Sequence, residues 1–287
     1  MDTRHPHDHP HDDRHDRGLA FDVGTLLARR RALQVMGGGA LAALAACAGD
    51  PGAASSVATG PATSASASSS ATSASSGTPD AEVPDETGGP YPGDGSNGPN
   101  VLDDSGIVRS DIRSSYDTST TRAEGVPLTV HLTVTDAEGG YAALAGAAVY
   151  AWHCDREGRY SLYSEGLEDE NYLRGVQATD ASGTVTFRTI FPGAYAGRWP
   201  HIHFEVYSSV ADATTSGPIV KTSQIALPRA ACEQVYRTTG YEQSAGNLQG
   251  SSLTSDNVFG DDGGVHQLAT VTGDPTSGFV ASLTVGV

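Results

Sequence analysis

Apolar and polar residues alternate along much of the chain beyond residue 127. In LTVHLTVTD (128–136), Leu128, Val130, Leu132 and Val134 share one side of an extended chain, and polar residues separate them. This period of two is typical of a half-buried β-strand. Similar patterns occur in six further segments, residues 146–154, 183–191, 201–209, 220–227, 266–273 and 278–287. The pattern predicts an all-β fold, either a sandwich or a barrel.

Turn and helix signals complete this outline. The segments DAEGG, DREG and DASG between the predicted strands supply the Asp and Gly residues that tight reversals need. PRAACEQVYR (228–237) has a helical pattern, and Pro228 suits the first position of a helix. We expect one folded domain over residues 85–287, with a single short helix.

Residues 1–47 resemble an export signal. Arg29–Arg31 precede an apolar run from Leu33 to Ala46, which is too short to span a bilayer. The arginines resemble a twin-arginine signal, and the LAAC that ends at Cys47 resembles a lipobox, in which this cysteine receives a lipid anchor. Ordinary signal-peptidase cleavage is the alternative. Both interpretations predict an exported protein, extracellular or held at the cell surface as a lipoprotein.

Residues 48–84 have the composition of a linker. From Pro51 to Pro79 the chain uses only Pro, Gly, Ala, Ser, Thr and a single valine. Such a segment cannot bury enough apolar surface to offset the entropy lost on ordering. We expect a disordered tether between the signal and the folded domain.

The charge balance excludes one class of partner. The chain has 17 Lys and Arg residues against 34 Asp and Glu residues, and Lys221 is its only lysine. A nucleic-acid-binding surface needs a basic patch. We therefore expect no nucleic-acid partner.

Cys154 and Cys232 are the two cysteines of the predicted domain. In an oxidising compartment they could form a disulfide, and the alternative is two buried thiols. Sequence alone does not show whether their Cα atoms come within bonding range.

The segment RWPHIHFEVY (198–207) carries the strongest chemical signal. Residues two apart in a strand point to the same face, so His201 and His203 present two imidazoles side by side. The opposite face carries Ile202, Phe204 and Val206, which are all apolar. A single His-x-His also occurs on surfaces and in cores, but its rigid apolar base here favours a metal site.

Histidine pairs bind zinc, copper and iron, so the other ligands of a site must distinguish between these metals. The side chains near this pair in sequence are Tyr160 and Tyr195, without a cluster of cysteine or acidic residues. A phenol has a pKa of about 10, and only a strong Lewis acid such as Fe³⁺ readily removes its proton. Two phenolates and a hydroxide would balance the charge of ferric iron. A zinc or copper site that leaves both tyrosines neutral is the alternative.

The order and flanks of these residues resemble the intradiol ring-cleavage dioxygenases, a family of non-haem ferric enzymes. The similarity covers residues 85–287 and is strongest over 147–227. The layout of signal, tether and single catalytic domain resembles that of exported actinobacterial members. The segments that carry it are W-H-x-D-x-x-G-x-Y (152–160), T-I-F-P-G-x-Y (189–195), R-W-P-H-I-H (198–203), GGPYPG (88–93) and TSQIAL (222–227).

The resemblance implies an all-β fold, the β-sandwich of the intradiol catalytic core with a short helix, and a bound Fe³⁺. Its ligands would be Tyr160, Tyr195, His201 and His203. Tyr160 and His201 would stay bound throughout, whereas Tyr195 would leave the iron when substrate binds and accept one of its protons.

The resemblance also implies roles around the substrate. Arg198 and Gln224 would stabilise the anionic state of the reacting ring, although a surface ion pair is the plainer interpretation of Arg198. Tyr91 would form a wall of the substrate pocket or simply pack. Only Ala196 and Gly197 separate Tyr195 from Arg198, where many cytoplasmic members have a longer segment.

The implied reaction opens a catechol-type ring between its two hydroxyls with O₂, giving a muconate-type diacid. The expected partners are such a catechol and O₂, and the expected cofactor is Fe³⁺ without an organic group. The alternative from another class is a non-enzymatic cell-surface β-sandwich that serves as a binding module, since fold alone does not settle function. That alternative leaves the two tyrosines and the paired histidines unexplained.

Overall fold

The computed structural model describes Pro79 and residues 81–287. The predicted signal, Cys47 and nearly all of the tether lie outside the described residues. Within them the chain forms nine strands and three short helices. The strands are β1 (Pro127–Asp136), β2 (Ala142–Ala143), β3 (Ala148–Trp152), β4 (Arg174–Ala178), β5 (Thr184–Ile190), β6 (His201–Tyr207), β7 (Ile219–Ala226), β8 (Thr270–Asp274) and β9 (Gly278–Gly286). The helices are α1 (Val210–Thr214), α2 (Arg229–Val235) and α3 (Glu242–Gln249).

The strands are arranged in two sheets. The first has the order β2-β1-β9-β8, with β1 and β9 parallel, and β5 pairs antiparallel with β1. The second is antiparallel throughout and has the order β4-β3-β6-β7. Within the described chain neither sheet closes on itself. The predicted β-sandwich is confirmed, and the barrel alternative is wrong.

The main hydrophobic core lies between the two sheets. Leu128 and Leu132 of β1 and Ile202 and Phe204 of β6 all belong to it, each at most 2% exposed. Because alternate residues of a strand face opposite ways, burying this side of β6 directs its odd-numbered residues to the outer face of the second sheet. That outer face is also covered, by a second cluster that includes Val101 and other residues of the segment ahead of β1.

Strand register creates a row of side chains across this outer face. Arg174 of β4 lies opposite Trp152 of β3, Trp152 lies opposite His203 of β6, and His203 lies opposite Gln224 of β7. The rings of Trp152 and His203 are stacked, with centroids 4.9 Å apart. All four side chains are at most 2% exposed.

Several elements differ from the sequence prediction. Residues 81–287 form three helices instead of one, and Pro228 is the N-cap of α2 instead of its first helical residue. The strand predicted from residue 266 begins only at Thr270. The sequence gives no signal for β4, because it begins with Arg174 and Gly175 and shows no apolar alternation, although its first three residues are all buried. In α3 only Ser244 and Leu248 are buried, so no apolar stripe marks it.

Both cysteines of the domain are free and buried. Of the two alternatives, the pair of buried thiols is therefore the one found. Burial raises the pKa of Cys154 above that of an ordinary thiol, and the Sγ atom lies 3.5 Å from the Gly193 carbonyl. No helix of the described residues has the length and apolar character needed to cross a membrane.

Replacing Phe204 tests the placement of β6 against the core. We expect Phe204→Ala to lower the free energy of unfolding by about 3–5 kcal/mol, because it removes a fully buried ring from a packed core. The matched control is Val280→Ala on β9, where the side chain is 37% exposed and the expected change is within about 0.5 kcal/mol. Urea unfolding measures both, and equal effects would contradict the assigned faces.

Candidate metal centre

The histidine pair occupies the first and third positions of β6. The Trp199 indole N–H donates to the Leu227 carbonyl at 2.8 Å, and the Leu227 N–H donates to the Pro200 carbonyl at 3.0 Å. These bonds fix the start of β6 against the end of β7. The Nδ1 atom of His201 lies 2.5 Å from the Trp199 carbonyl. Because a carbonyl only accepts, this Nδ1 carries the proton, and Nε2 presents a lone pair.

Tyr160 lies in the loop between β3 and β4. The carboxylate of Asp155 accepts the N–H groups of Glu157 and Arg159, both at 2.9 Å, and so folds the loop back towards the start of β6. The Tyr160 N–H donates to Ser164 Oγ at 2.9 Å. The side chain is 2% exposed, so its hydroxyl is aimed into the protein.

Tyr195 follows β5 and is positioned by helix α3. The Ala194 N–H donates to Ser244 Oγ at 2.9 Å, and Asn247 Nδ2 donates to the Ala194 carbonyl at 2.7 Å. Gly158 passes close to Tyr195 with a φ of 84°, and a Cβ there would lie 3.2 Å from the Tyr195 Cβ. The glycine of the W-H-x-D-x-x-G-x-Y motif is therefore required by its backbone conformation and by this close approach.

Four donor atoms from these segments converge. The His201 and His203 Nε2 atoms are 3.0 Å apart, Tyr160 Oη lies 3.3 Å from His203 Nε2, and Tyr195 Oη lies 3.2 Å from His201 Nε2. Two ligands that are each about 2.0–2.1 Å from a metal ion lie about 2.9–3.4 Å apart at angles between 90° and 110°. The spacing of these two oxygens and two nitrogens fits a single ion.

The donor set also restricts the kind of ion. Among the described residues no group of three or more His, Cys, Asp or Glu side chains is placed to hold a metal. The donors that accompany the histidine pair are therefore the two phenols. Two oxygen anions and two imidazoles suit a hard, highly charged cation better than a soft one. The residues present fit Fe³⁺.

Burial sets the protonation of these groups. It lowers the pKa of His201 to about 3 and lowers that of His203 well below its usual value, so both imidazoles are neutral at pH 7. It also raises the pKa of Tyr160 well above the usual value, with a contribution from the neighbouring Tyr195. Only a strong Lewis acid at the point of convergence would favour the phenolate form.

Arg198 is part of a buried network beside the four donors. Its Nε donates to Asp256 Oδ2 at 3.0 Å, and its Nη2 donates to Gln224 Oε1 at 2.6 Å. Burial alone would lower the pKa of Arg198, but Tyr195 and Asp256 raise it above its ordinary value. The surface ion pair considered from the sequence is wrong, because Arg198 and Asp256 are 3% and 0% exposed. The guanidinium is a fixed buried cation.

Tyr91 and Gln224 are also placed at the site. The Tyr91 ring packs on the Tyr160 ring with centroids 4.8 Å apart. Gln224 receives the Arg198 bond on its oxygen and donates from Nε2 to the Thr87 carbonyl at 2.9 Å. The structure thus brings together every residue that the sequence singled out.

Sequence reasoning missed two participants. Asp256 accepts the Arg198 guanidinium and the Trp199 N–H, the latter at 2.6 Å, from a loop with no recognisable pattern. Trp152 stacks on His203. Trp152 is the first residue of the W-H-x-D-x-x-G-x-Y motif, so the sequence could have indicated it. Nothing near Asp256 in the sequence indicates its role.

Comparison with known proteins agrees with this geometry. A family model described as "Dioxygenase" matches residues 97–215, which include all four donors and Arg198. Catechol 1,2-dioxygenase 1 of Acinetobacter lwoffii is 31% identical over 130 residues, which are 39% of each chain. The matched part is thus well under half of that curated relative.

A solved structure extends the similarity over a larger share of the chain. The intradiol ring-cleavage dioxygenase from Tetranychus urticae is 25% identical with a TM-score of 0.55, and the match covers 72% of this chain and 94% of that one. The sandwich, the matched family model and this neighbour all show that the chain is similar to the intradiol ring-cleavage dioxygenases.

Proposed function

We propose that residues 85–287 form an Fe³⁺-dependent dioxygenase that opens catechol-type rings between the two hydroxyls with O₂, yielding muconate-type diacids. The observation that carries the proposal is the convergence of two phenols and two neutral imidazoles beside the buried Arg198. The curated relative's name, a catechol 1,2-dioxygenase, supports the substrate class.

The four converging side chains would hold the ion. Tyr160, Tyr195, His201 and His203 offer two oxygen and two nitrogen donors, and two phenolates would offset two of the three ferric charges. Bound Fe³⁺ would supply Lewis acidity that favours the doubly deprotonated catechol and makes its ring reactive towards O₂.

The two tyrosines differ in access to solvent. Tyr160 is 2% exposed, whereas Tyr195 is only half-buried and is followed by the exposed Ala196 and Gly197. Of the two tyrosines, Tyr195 is therefore the one more accessible from solvent. We assign to Tyr195 Oη the role of accepting a catechol proton, and to Tyr160 the role of a ligand that stays in place.

Arg198 would stabilise the negative charge of the deprotonated ring. Its Nε and Nη2 donate to Asp256 and Gln224, and these bonds hold the cation in place beside the four donors. A preorganised cation in a site that excludes water acts without the cost of reorienting solvent. The bond from Gln224 to the Thr87 carbonyl fixes the orientation of this network.

We propose further that the protein is exported and works outside the cell, held by a lipid at Cys47 or released. The proposal rests on the signal-like residues 1–47 and the tether-like residues 48–84. An enzyme that needs only Fe³⁺, O₂ and a catechol requires no cellular reductant, which suits that location.

Replacing Tyr160 tests the ligand set. In the Fe³⁺-loaded full-length protein, we expect Tyr160→Phe to remove most of the visible tyrosinate absorption and to lower ring-cleavage activity at least about 100-fold, because a ligand and its charge are lost. The matched control is Tyr172→Phe, which removes the hydroxyl of a buried tyrosine that is not one of the four donors. Absorption spectra, iron content and catechol consumption measure the effects. Unchanged iron content and colour in Tyr160→Phe would contradict the assignment.

Replacing Arg198 tests the electrostatic role separately from metal binding. We expect Arg198→Met to lower kcat about 100- to 1,000-fold while iron content stays near that of the unaltered protein, because the cation acts on the reacting ring and does not bind the metal. The exposed Arg188 provides the control variant, Arg188→Met. Steady-state kinetics with catechol and metal analysis distinguish the outcomes. A loss of iron equal to the loss of activity would place Arg198 in metal retention instead.

A further inference from the structure

A short segment crosses the outer face of the second sheet above the candidate metal centre. We call residues 86–93 the roof strap. Its first residue donates its N–H to the Thr222 carbonyl of β7 at 2.8 Å, and the Thr87 carbonyl accepts from Gln224. A Cβ on Gly89 would lie 3.3 Å from His203 Cε1, so the strap touches the ligand ring directly. The strap then continues over Trp152 to the far end of the row, at Arg174.

Arg174 binds this far end with most of its donors. Its Nη1 donates to the Pro92 carbonyl at 2.8 Å and to Tyr150 Oη at 3.2 Å, and its Nη2 donates to the Tyr91 carbonyl at 3.0 Å. The same guanidinium also bonds to Ser161, with Nη2 to its carbonyl at 2.9 Å and Nε to its Oγ at 3.0 Å. One side chain therefore joins the strap to the residue that follows the ligand Tyr160.

The partners of Arg174 are unusual for a buried cation. The side chain is 1% exposed, and all its hydrogen bonds go to neutral oxygen atoms. Within the described part of the chain it forms no salt bridge of 4 Å or less, unlike Arg198 with Asp256. Burying a charge without a counter-ion is costly, and complete hydrogen bonding offsets only part of that cost. Simple stabilisation of the fold therefore explains Arg174 poorly.

The backbone around Arg174 is also held in uncommon conformations. Leu173, the residue before it, has a φ of 60°, and Leu162, the residue after Ser161, has a φ of 73°. Gly93 has a φ of 68°, and a Cβ there would lie 2.8 Å from Arg174 Nη1. Left-handed conformations at non-glycine residues persist where surrounding contacts enforce them, often next to functional sites.

We propose that Arg174 is a positioning residue that fixes the roof strap, and with it Tyr91, against Tyr160. The Tyr91 ring lies on the Tyr160 ring, and the Arg174 guanidinium holds the backbone on both sides of this contact, at Tyr91 and at Ser161. The effect of Arg174 on catechol binding rests on the proposed function, whereas its effect on the strap is independent of that function.

If Arg174 has this role, its removal should affect both the mobility of the strap and the affinity for substrate, and the two effects can be measured separately. Without the guanidinium, the strap keeps its anchor at Gln224, the bond from Tyr150 to the Pro92 carbonyl and the bond from Gly93 to Tyr163. It loses the bond at the Tyr91 carbonyl and one of the two bonds at the Pro92 carbonyl. The wall that Tyr91 forms beside Tyr160 should then become mobile, and substrate affinity should fall more than the rate of the chemical step. Because Arg174 acts through Tyr91, its removal should matter little once the Tyr91 ring is absent.

The first measurement concerns the strap alone and needs no metal. In full-length Arg174→Met, we expect the amides of Tyr91 and Gly93, at the end of the strap next to Arg174, to exchange with deuterium at least about tenfold faster than in the unaltered protein, while those of β1 and β9 stay protected. Arg188→Met is the control. Equal exchange of the strap in a folded Arg174→Met would overturn the proposal.

The second measurement concerns the substrate. With Fe³⁺-loaded protein we expect Arg174→Met to raise KM for catechol about tenfold with kcat within about threefold, and the Tyr91→Ala background to abolish the difference. Additive effects of the two substitutions would contradict a role exerted through Tyr91. If the unaltered protein opens no catechol, the proposed function fails, and hydrogen exchange still decides the role of Arg174.

Arg174→Lys covers the case in which Arg174→Met does not fold. Lysine keeps the charge but offers a single nitrogen, which cannot reach the strap and Ser161 together. We expect faster exchange of the Tyr91 and Gly93 amides and a raised KM with the domain still folded. A lysine variant with the exchange and KM of the unaltered protein would overturn the proposal.

Discussion

The site depends on the register of the antiparallel sheet β4-β3-β6-β7. One face of β6 is fixed in the sandwich core by Ile202 and Phe204, so His201 and His203 must face outward. A slip of one residue would turn both imidazoles into the core and bring apolar side chains to the site. The same register sets Trp152 and Gln224 on either side of His203. Core packing and candidate chemistry are therefore specified by the same strand.

Several charged side chains are buried around that strand. The Arg198–Asp256 pair and the Arg174 guanidinium all lie at or near zero exposure. Such groups are costly to remove from water and are tolerated when hydrogen bonds or counter-charges surround them. Here the two arginines lie at opposite ends of the row, because Arg174 is its first member and Arg198 donates to Gln224, its last. Arg198 is held by a carboxylate and an amide beside the donors, and Arg174 is held by neutral oxygens beneath the strap. A ferric ion with two phenolates would complete the charge distribution.

Much of the fold and of the candidate site could be predicted from the sequence, because local patterns specify them. Alternation located most strands, and the i, i+2 spacing placed His201 and His203 on one face. The remainder depends on contacts between distant residues. Asp256 reaches Arg198 across 58 positions, and Arg174 reaches Pro92 across 82. Helix α3, which positions Tyr195, has no apolar stripe to reveal it. No local period or motif encodes such contacts, since they arise only after the sheets have packed.

The central claim is that Tyr160, Tyr195, His201 and His203 hold one ferric ion that binds catechol. The most direct measurement is the visible spectrum of the Fe³⁺-loaded full-length protein, recorded under argon before and after addition of catechol. The account predicts a tyrosinate-to-iron band that shifts to longer wavelength when catechol binds, with one iron per chain. A protein that remains colourless after ferric loading, or a band that catechol leaves unchanged, would contradict it.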